Sequence, residues 1–327
     1  MYCNNCGTKL PDNSKYCNLC GNKMISDDSQ IPTNNVVEIE IDGSKKIAIW
    51  SIVIYASIFY LLSQFASSIV ISIYVILKQI PLNEFDNIAD YLLEYYPNDY
   101  YNILSICNLI CYIPILTALI LISLKILKHD IKKIKGHIGR FFAQFGIGFA
   151  ILYAAALGTS IIVSILLSIY AIILQASPEL TEILGTFDST TSANQEAINN
   201  MLNSGVFPFI GTLFITIIAA PIVEELIFRK SFFALSKKKG IACIIISGII
   251  FGSIHVAESV LVQVLGIVQG LEGHNISNII VEFINLISYV GSGVAFGIIY
   301  KKSNYNIYVT ILVHAVYNAL GFLLMLI

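Results

Sequence analysis

Long uncharged apolar runs dominate this chain and leave it few folds. Residues 47–77, 102–124 and 141–174 contain no Asp, Glu, Lys or Arg. Each exceeds the roughly 18 apolar residues that read as a transmembrane helix. Four further candidates follow at 207–235, 241–257, 276–300 and 306–327. The apolar stretch 259–271 is shorter and reads as an interfacial or re-entrant piece. The run at 141–174 is long enough to tilt strongly or to break near Gly158. Only 12% of the 327 residues are charged, against about 25% in soluble domains. The expected fold is an all-α polytopic membrane protein of about 7–8 transmembrane helices, preceded by a small N-terminal module.

The loops between these runs alternate in sign. Lys45 and Lys46 precede the first run, six basic residues from Lys125 to Arg140 follow the second, Lys237–Lys239 follow the fourth, and Lys301 and Lys302 follow the sixth. The intervening loops are acidic, with Glu84, Asp86, Asp90, Glu94 and Asp99 in one and Glu179, Glu182, Asp188 and Glu196 in another. Basic loops stay in the cytoplasm. The expectation is therefore a multi-pass cell-membrane protein with a cytoplasmic N-terminus, its first helix acting as its own insertion signal. The bilayer is its first partner, and no nucleic acid is expected.

The N-terminus carries Cys3, Cys6, Cys17 and Cys20, two Cys-x2-Cys pairs each followed by glycine. Four thiolates so arranged suit tetrahedral Zn²⁺ closed by protein ligands, a structural site rather than a catalytic one. The short gap between the pairs accommodates one small hairpin. A cytoplasmic location argues against two disulfides. Residues 1–24 thus read as a zinc ribbon and 25–44 as a polar linker. Residues 45–200 read as an N-terminal set of membrane helices and 201–327 as the functional helical core. Cys107, Cys111 and Cys243 lie in apolar runs and read as small hydrophobes.

Within that core, polar residues stand where a membrane helix disfavours them. Glu224, Glu225 and Arg229 interrupt the fourth run, His255 ends the fifth, and His314 and Asn318 sit in the seventh. A charge at the bilayer centre costs about 3 kcal/mol, which makes such residues candidates for function. Glu225 and Arg229, and likewise His314 and Asn318, are four apart and share a helix face. Rise per residue places Glu224 ~18 Å, His314 ~14 Å and His255 ~22 Å from the same membrane side. The three meet at mid-depth if their helices adjoin. Taken singly, each has a plainer reading: a structural ion pair for Glu225–Arg229, an interfacial histidine for His255, an interhelical hydrogen bond for His314–Asn318. Lys230 reads as snorkelling to the interface, and Glu258 and Glu282 as interfacial. Gly293-x3-Gly297 allows close helix packing, within one chain or between chains.

These residues resemble a known pattern. APIVEELIFRKSFF carries Glu-Glu-x3-Arg (Glu224, Glu225, Arg229), FGSIH carries Phe-x3-His (Phe251, His255), and HAVYN carries His-x3-Asn (His314, Asn318). In that order they resemble the motifs of the CAAX-protease and bacteriocin-processing (CPBP, Abi) intramembrane proteases, over residues 205–325. The resemblance implies an intramembrane endopeptidase acting on a membrane-associated peptide or protein. Glu224 would activate water, His255 and His314 would position it and stabilise the oxyanion, Asn318 would donate to the oxyanion, and Glu225 with Arg229 would shape the site. It leaves metal dependence open: His255, His314 and one Glu could hold Zn²⁺ with an open position, or act without metal. The N-terminal segment resembles zinc-ribbon modules of bacterial membrane proteins. Two other functions stay open. One is an inactive immunity or scaffold protein that recruits a cytoplasmic protein partner through the ribbon. The other is an ion-coupled transporter, against which stands the lack of an inverted repeat between the halves.

Overall fold

The computed structural model describes residues 8–11, 14, 16, 44–80, 88–187, 189–236 and 240–325. The chain divides into two units, residues 1–42 and 43–327. In the first, Lys9 and Tyr16 are isolated β-bridge residues on either side of a turn in which the Ser14 hydroxyl donates to the Pro11 carbonyl at 2.8 Å. Cys3, Cys6, Cys17, Cys20 and the linker to 43 lie outside the described residues, as do Glu84, Asp86, Asp188 and Lys237–Lys239.

The second unit is helical among its described residues. Helix α1 covers 44–78, with a π-helical turn at Ser57–Leu62. Then come α2 (Ile88–Tyr95), α3 (Pro97–Ile134), α4 (Ile138–Ala176), α5 (Pro178–Leu184), α6 (Ala193–Asn203), α7 (Val206–Leu235), α8 (Ile241–Gln269), α9 (Ile276–Lys302) and α10 (Ile307–Met325). Six of these, α3, α4 and α7 to α10, are long and apolar enough to cross a membrane. Helix α1 coincides with the first apolar run. Lipid offers no partner for backbone groups, so an apolar run of this length satisfies its N–H and C=O groups by coiling on itself.

Two helix ends differ from the sequence expectation: α3 runs on past 124 to Ile134 and α8 past 257 to Gln269. Of the tilt or break open to the run 141–174, the break does not occur: α4 runs unbroken through Gly158, where an added Cβ would meet nothing beyond its own helix backbone within 4 Å. One glycine weakens a helix by about 1 kcal/mol, less than a break in lipid, where each unsatisfied group costs several. Helix α8 continues over most of the stretch expected to be interfacial or re-entrant. Its first helix-stopping residue is Gly270, which takes φ 70°. There Leu271 N–H donates to Gly266 O at 2.9 Å and Gly270 N–H to Ile267 O at 3.1 Å, the paired bonds of a Schellman turn. His255 therefore stands in the middle of a 29-residue helix instead of at its end.

Helices α8 and α9 pack on one another along their small residues. A Cβ added at Gly293 would lie 2.8 Å from Gly248 O, and one at Gly248 would lie 2.7 Å from Val294 N. The glycine pattern of α9 is thus used within the chain, and it draws two backbones together in the manner of small-residue membrane contacts. The main core forms around this pair. Val223, Leu226, Phe228, Phe251, Phe296 and Val313 are buried in it, together with residues of α1, α3 and α4. The polar residues singled out in the sequence lie on the same four helices, α7 to α10, that supply those six side chains.

Candidate active site

Three of the six polar residues form one chain of contacts. Glu225 Oε1 accepts a hydrogen bond from His314 Nδ1 at 3.0 Å, and its Oε2 lies 3.3 Å from Arg229 Nε. Glu225 and Arg229 are fully buried and His314 is 5% exposed. Nε2 of His314, on the other side of the ring, faces Glu224 Oε2 at 3.8 Å, beyond hydrogen-bond reach. The two adjacent carboxylates therefore address opposite nitrogens of one imidazole. Glu225 fixes the ring and meets the arginine, and Glu224 is left without a direct hydrogen bond to it.

Phe251 connects these residues to His255. The Arg229 guanidinium lies 4.8 Å from the Phe251 ring and 5.3 Å from that of Phe296, cation–π distances. None of the guanidinium nitrogens has a hydrogen-bond acceptor among the described residues. The carboxylate and the two aromatic faces are what compensate the buried charge. Phe251 also contacts His255 and His314, at centroid distances of 4.8 and 6.2 Å, and His314 stacks on Phe296 at 4.4 Å. His255 Nδ1 donates to the Phe251 carbonyl at 2.8 Å. A carbonyl only accepts, so Nδ1 carries a proton, and the acceptor nitrogen of the ring's neutral form is Nε2. Asn318, one turn beyond His314, donates through Nδ2 to Thr216 O of α7 at 2.8 Å. All six candidates lie on three helices, α7, α8 and α10, of which α8 and α10 both pack on α7.

Residues 206–320 match the family model described as type II CAAX prenyl endopeptidase Rce1-like, and residues 2–24 match a zinc-ribbon domain. No curated protein and no solved structure matches the chain. The matched segment takes in Glu224, Glu225, Arg229, His255, His314 and Asn318.

Helix α7, inside the matched segment, is not a regular α-helix. It widens into π-helical turns at Ile215–Ala219 and Glu225–Ser231. The first precedes Pro221, whose missing N–H and ring disfavour a normal turn. Its Thr216 carbonyl is the one that Asn318 holds. The second contains both Glu225 and Arg229. Hydroxyls complete it: Ser231 Oγ donates to Leu226 O at 2.8 Å, and Ser247 Oγ of α8 donates to Phe228 O at 2.7 Å. Side-chain donors of this kind let irregular helix persist in apolar surroundings, and π-turns gather at functional sites.

The donor set bears on the metal that the family resemblance left open. Among the described residues, no three His, Cys, Asp or Glu side chains come together as metal ligands. His314 Nδ1 is spent on Glu225 and His255 Nδ1 on the backbone, and of the two Nε2 atoms only that of His314 faces a carboxylate, Glu224 at 3.8 Å. This arrangement does not fit a two-His, one-Glu ligand set.

Two polar residues behave unlike their sequence reading, and a third was missed. Lys230 does not snorkel. Its Nζ reaches Asp130 Oδ2 at 2.8 Å, and Lys133 Nζ lies 3.3 Å from Oδ1. Asp130 is fully buried near the end of α3, and there Ile307 N–H of α10 also donates to it at 3.5 Å. Sequence reasoning did not single out Asp130. Its signal is that it is the one acid within the basic segment 125–140. Glu282 is also not interfacial. It is 5% exposed, and its Oε1 accepts from Ala193 N–H at the start of α6 at 2.7 Å.

Proposed function

We propose that this protein is an intramembrane endopeptidase that hydrolyses a peptide bond in a membrane-associated substrate, with Glu224 as the base that activates water. One observation carries the reading. Of two adjacent buried carboxylates, Glu225 is committed to His314 and Arg229, and Glu224 faces the opposite nitrogen of the same histidine. Glu225 and Arg229 hold the site, and Glu224 is the group free to exchange a proton. The family of residues 206–320 supports the same class of chemistry.

The reaction proceeds with what these residues supply. His255 Nε2 accepts one O–H of the attacking water, and Glu224 accepts the other proton as oxygen adds to the substrate carbonyl carbon. The second Nδ2 hydrogen of Asn318, beyond the one held by Thr216, donates to the oxyanion. Collapse of the tetrahedral intermediate breaks the C–N bond. The proton taken from water passes from Glu224, with His314 Nε2 beside it, to the departing amine. Glu225 keeps His314 in one tautomer throughout. No step is routed through a metal.

The surroundings follow from the charge pattern of the loops. Basic loops face the cytoplasm, which places the chain in the cell membrane with its N-terminus inside. Residues 2–24, through Cys3, Cys6, Cys17 and Cys20, hold a structural zinc and present a surface to a cytoplasmic protein partner.

The test uses purified protein in lipid nanodiscs with a library of membrane-anchored peptide reporters. Wild type cleaves at least one reporter, Glu224→Gln cleaves none, and a chelator leaves cleavage unchanged. A folded wild type that cleaves nothing, with Glu224→Gln indistinguishable from it in cells, favours an inactive scaffold instead.

A further inference from the structure

We infer that Tyr289 is a positioning residue for His255, and that the start of α6 sets its position. This rests on the peptidase reading above. The Tyr289 ring lies flat against the His255 imidazole, with centroids 4.7 Å apart and planes at 18°. The bond to the Phe251 carbonyl fixes which nitrogen of His255 carries the proton. It does not by itself prevent the ring from leaving that carbonyl and flipping. A flat neighbour on one face removes this freedom, because an imidazole cannot swing through a stacked ring.

Tyr289 is in turn held from outside the core helices. Its hydroxyl meets Ser192 Oγ at 2.7 Å and accepts from Asn194 Nδ2 at 3.2 Å. Ser192 is the N-cap of α6, where its Oγ accepts from Gln195 N–H at 3.4 Å. Two turns earlier on α9, Glu282 takes the Ala193 N–H. Two side chains of α9, seven residues apart, thus grip the first turn of α6. The Tyr289 hydroxyl is committed to that turn and does not reach the reacting groups. Its contribution is therefore the aim of His255 Nε2 at the water. An aim that is lost lowers the turnover step and leaves substrate binding alone, because misplacement of a reacting group acts on the barrier.

The experiment pairs steady-state kinetics with ¹⁵N-histidine NMR on the full-length protein in nanodiscs. The chain has five histidines, and the His255 signal is the one lost in His255→Gln. Tyr289→Leu should lower kcat about tenfold, with KM within about twofold, and should shift His255 from the Nδ1–H form to a mixture of tautomers. Tyr289→Phe retains the flat ring but loses its hold on α6, and should recover part of both readouts. Ser192→Ala should match Tyr289→Phe, and the double variant should be no worse than either, as expected for one shared interaction. A wild-type tautomer signal or wild-type kcat in folded Tyr289→Leu overturns the inference. If Tyr289→Leu does not fold, additive effects of Tyr289→Phe and Ser192→Ala overturn it. If wild type cleaves no reporter, the peptidase reading fails by itself, and the NMR readout still decides whether Tyr289 orients His255.

Discussion

Glu224 and Glu225 are neighbours in sequence with the same side chain, yet their substitution should have opposite consequences. Glu225 is the partner of a fully buried arginine, and removing one member of a buried ion pair strands the other at a cost of about 3–5 kcal/mol. Glu225→Gln and Arg229→Ala should therefore lower unfolding stability by that order in detergent, and activity should fall with the fold. Glu224 makes no direct hydrogen bond to His314 and touches Arg229 only through its field. Glu224→Gln should keep the unfolding midpoint within a few degrees of wild type and still lower kcat by about 10²-fold or more, the scale of a lost general base. Matching stability losses for the two glutamine variants would contradict this division of roles.

At the scale of the element, the wide turn of α7 depends on hydroxyls that belong to other turns and helices. Ser247 of α8 is fully buried and supplies the donor for Phe228 O. Ser247→Ala leaves that carbonyl unsatisfied and should cost about 1–3 kcal/mol, with Ser231→Ala costing less because its bond stays within α7. The close contact of α8 and α9 sets a stricter limit. A side chain at position 248 meets backbone at 2.7 Å, which cannot yield as a flexible side chain could. Gly248→Leu should push α9 away from α8, separate Phe296 and Tyr289 from the histidines they stack on, and abolish cleavage. Wild-type activity in that variant would mean the helices can part without disturbing the site. At the end of α3, Asp130 ties Lys230 of α7 and the first N–H of α10 to one carboxylate. Asp130→Asn should destabilise measurably, and in a double-mutant cycle with Lys230→Met the two losses should be non-additive.

For the whole molecule, the two units should respond to different reagents. If the four cysteines hold zinc, a chelator removes about one metal ion per chain and unfolds the small N-terminal unit, since pieces of that size depend on their metal. The helical unit should keep its unfolding midpoint and its cleavage rate under the same treatment. Metal analysis of Cys3→Ser and Cys17→Ser against wild type measures the first half, and reporter cleavage with and without chelator measures the second. Cleavage that falls in step with zinc loss would place a metal, or a dependence on the ribbon, in the reaction.

What the sequence determined is set by solvation. Long uncharged runs require helices, so the spans were legible to within a turn or two at most ends. Charged and polar residues inside them had to gather, so Glu224, Glu225, Arg229, His255, His314 and Asn318 were legible as a set. The exceptions were the ends of α3, which runs on through the basic segment to Ile134, and of α8, where nothing but Gly270 marks a stop. What only the tertiary structure decided is which neighbour each polar group meets. Periodicity gives the face of a helix and says nothing of the partner across from it. Glu225 takes His314 and leaves Glu224 exposed to the other nitrogen, Asp130 draws in Lys230, and Tyr289 covers His255, because α7, α8, α9 and α10 adjoin at glycines and π-turns whose effect appears only when a second backbone lies against them.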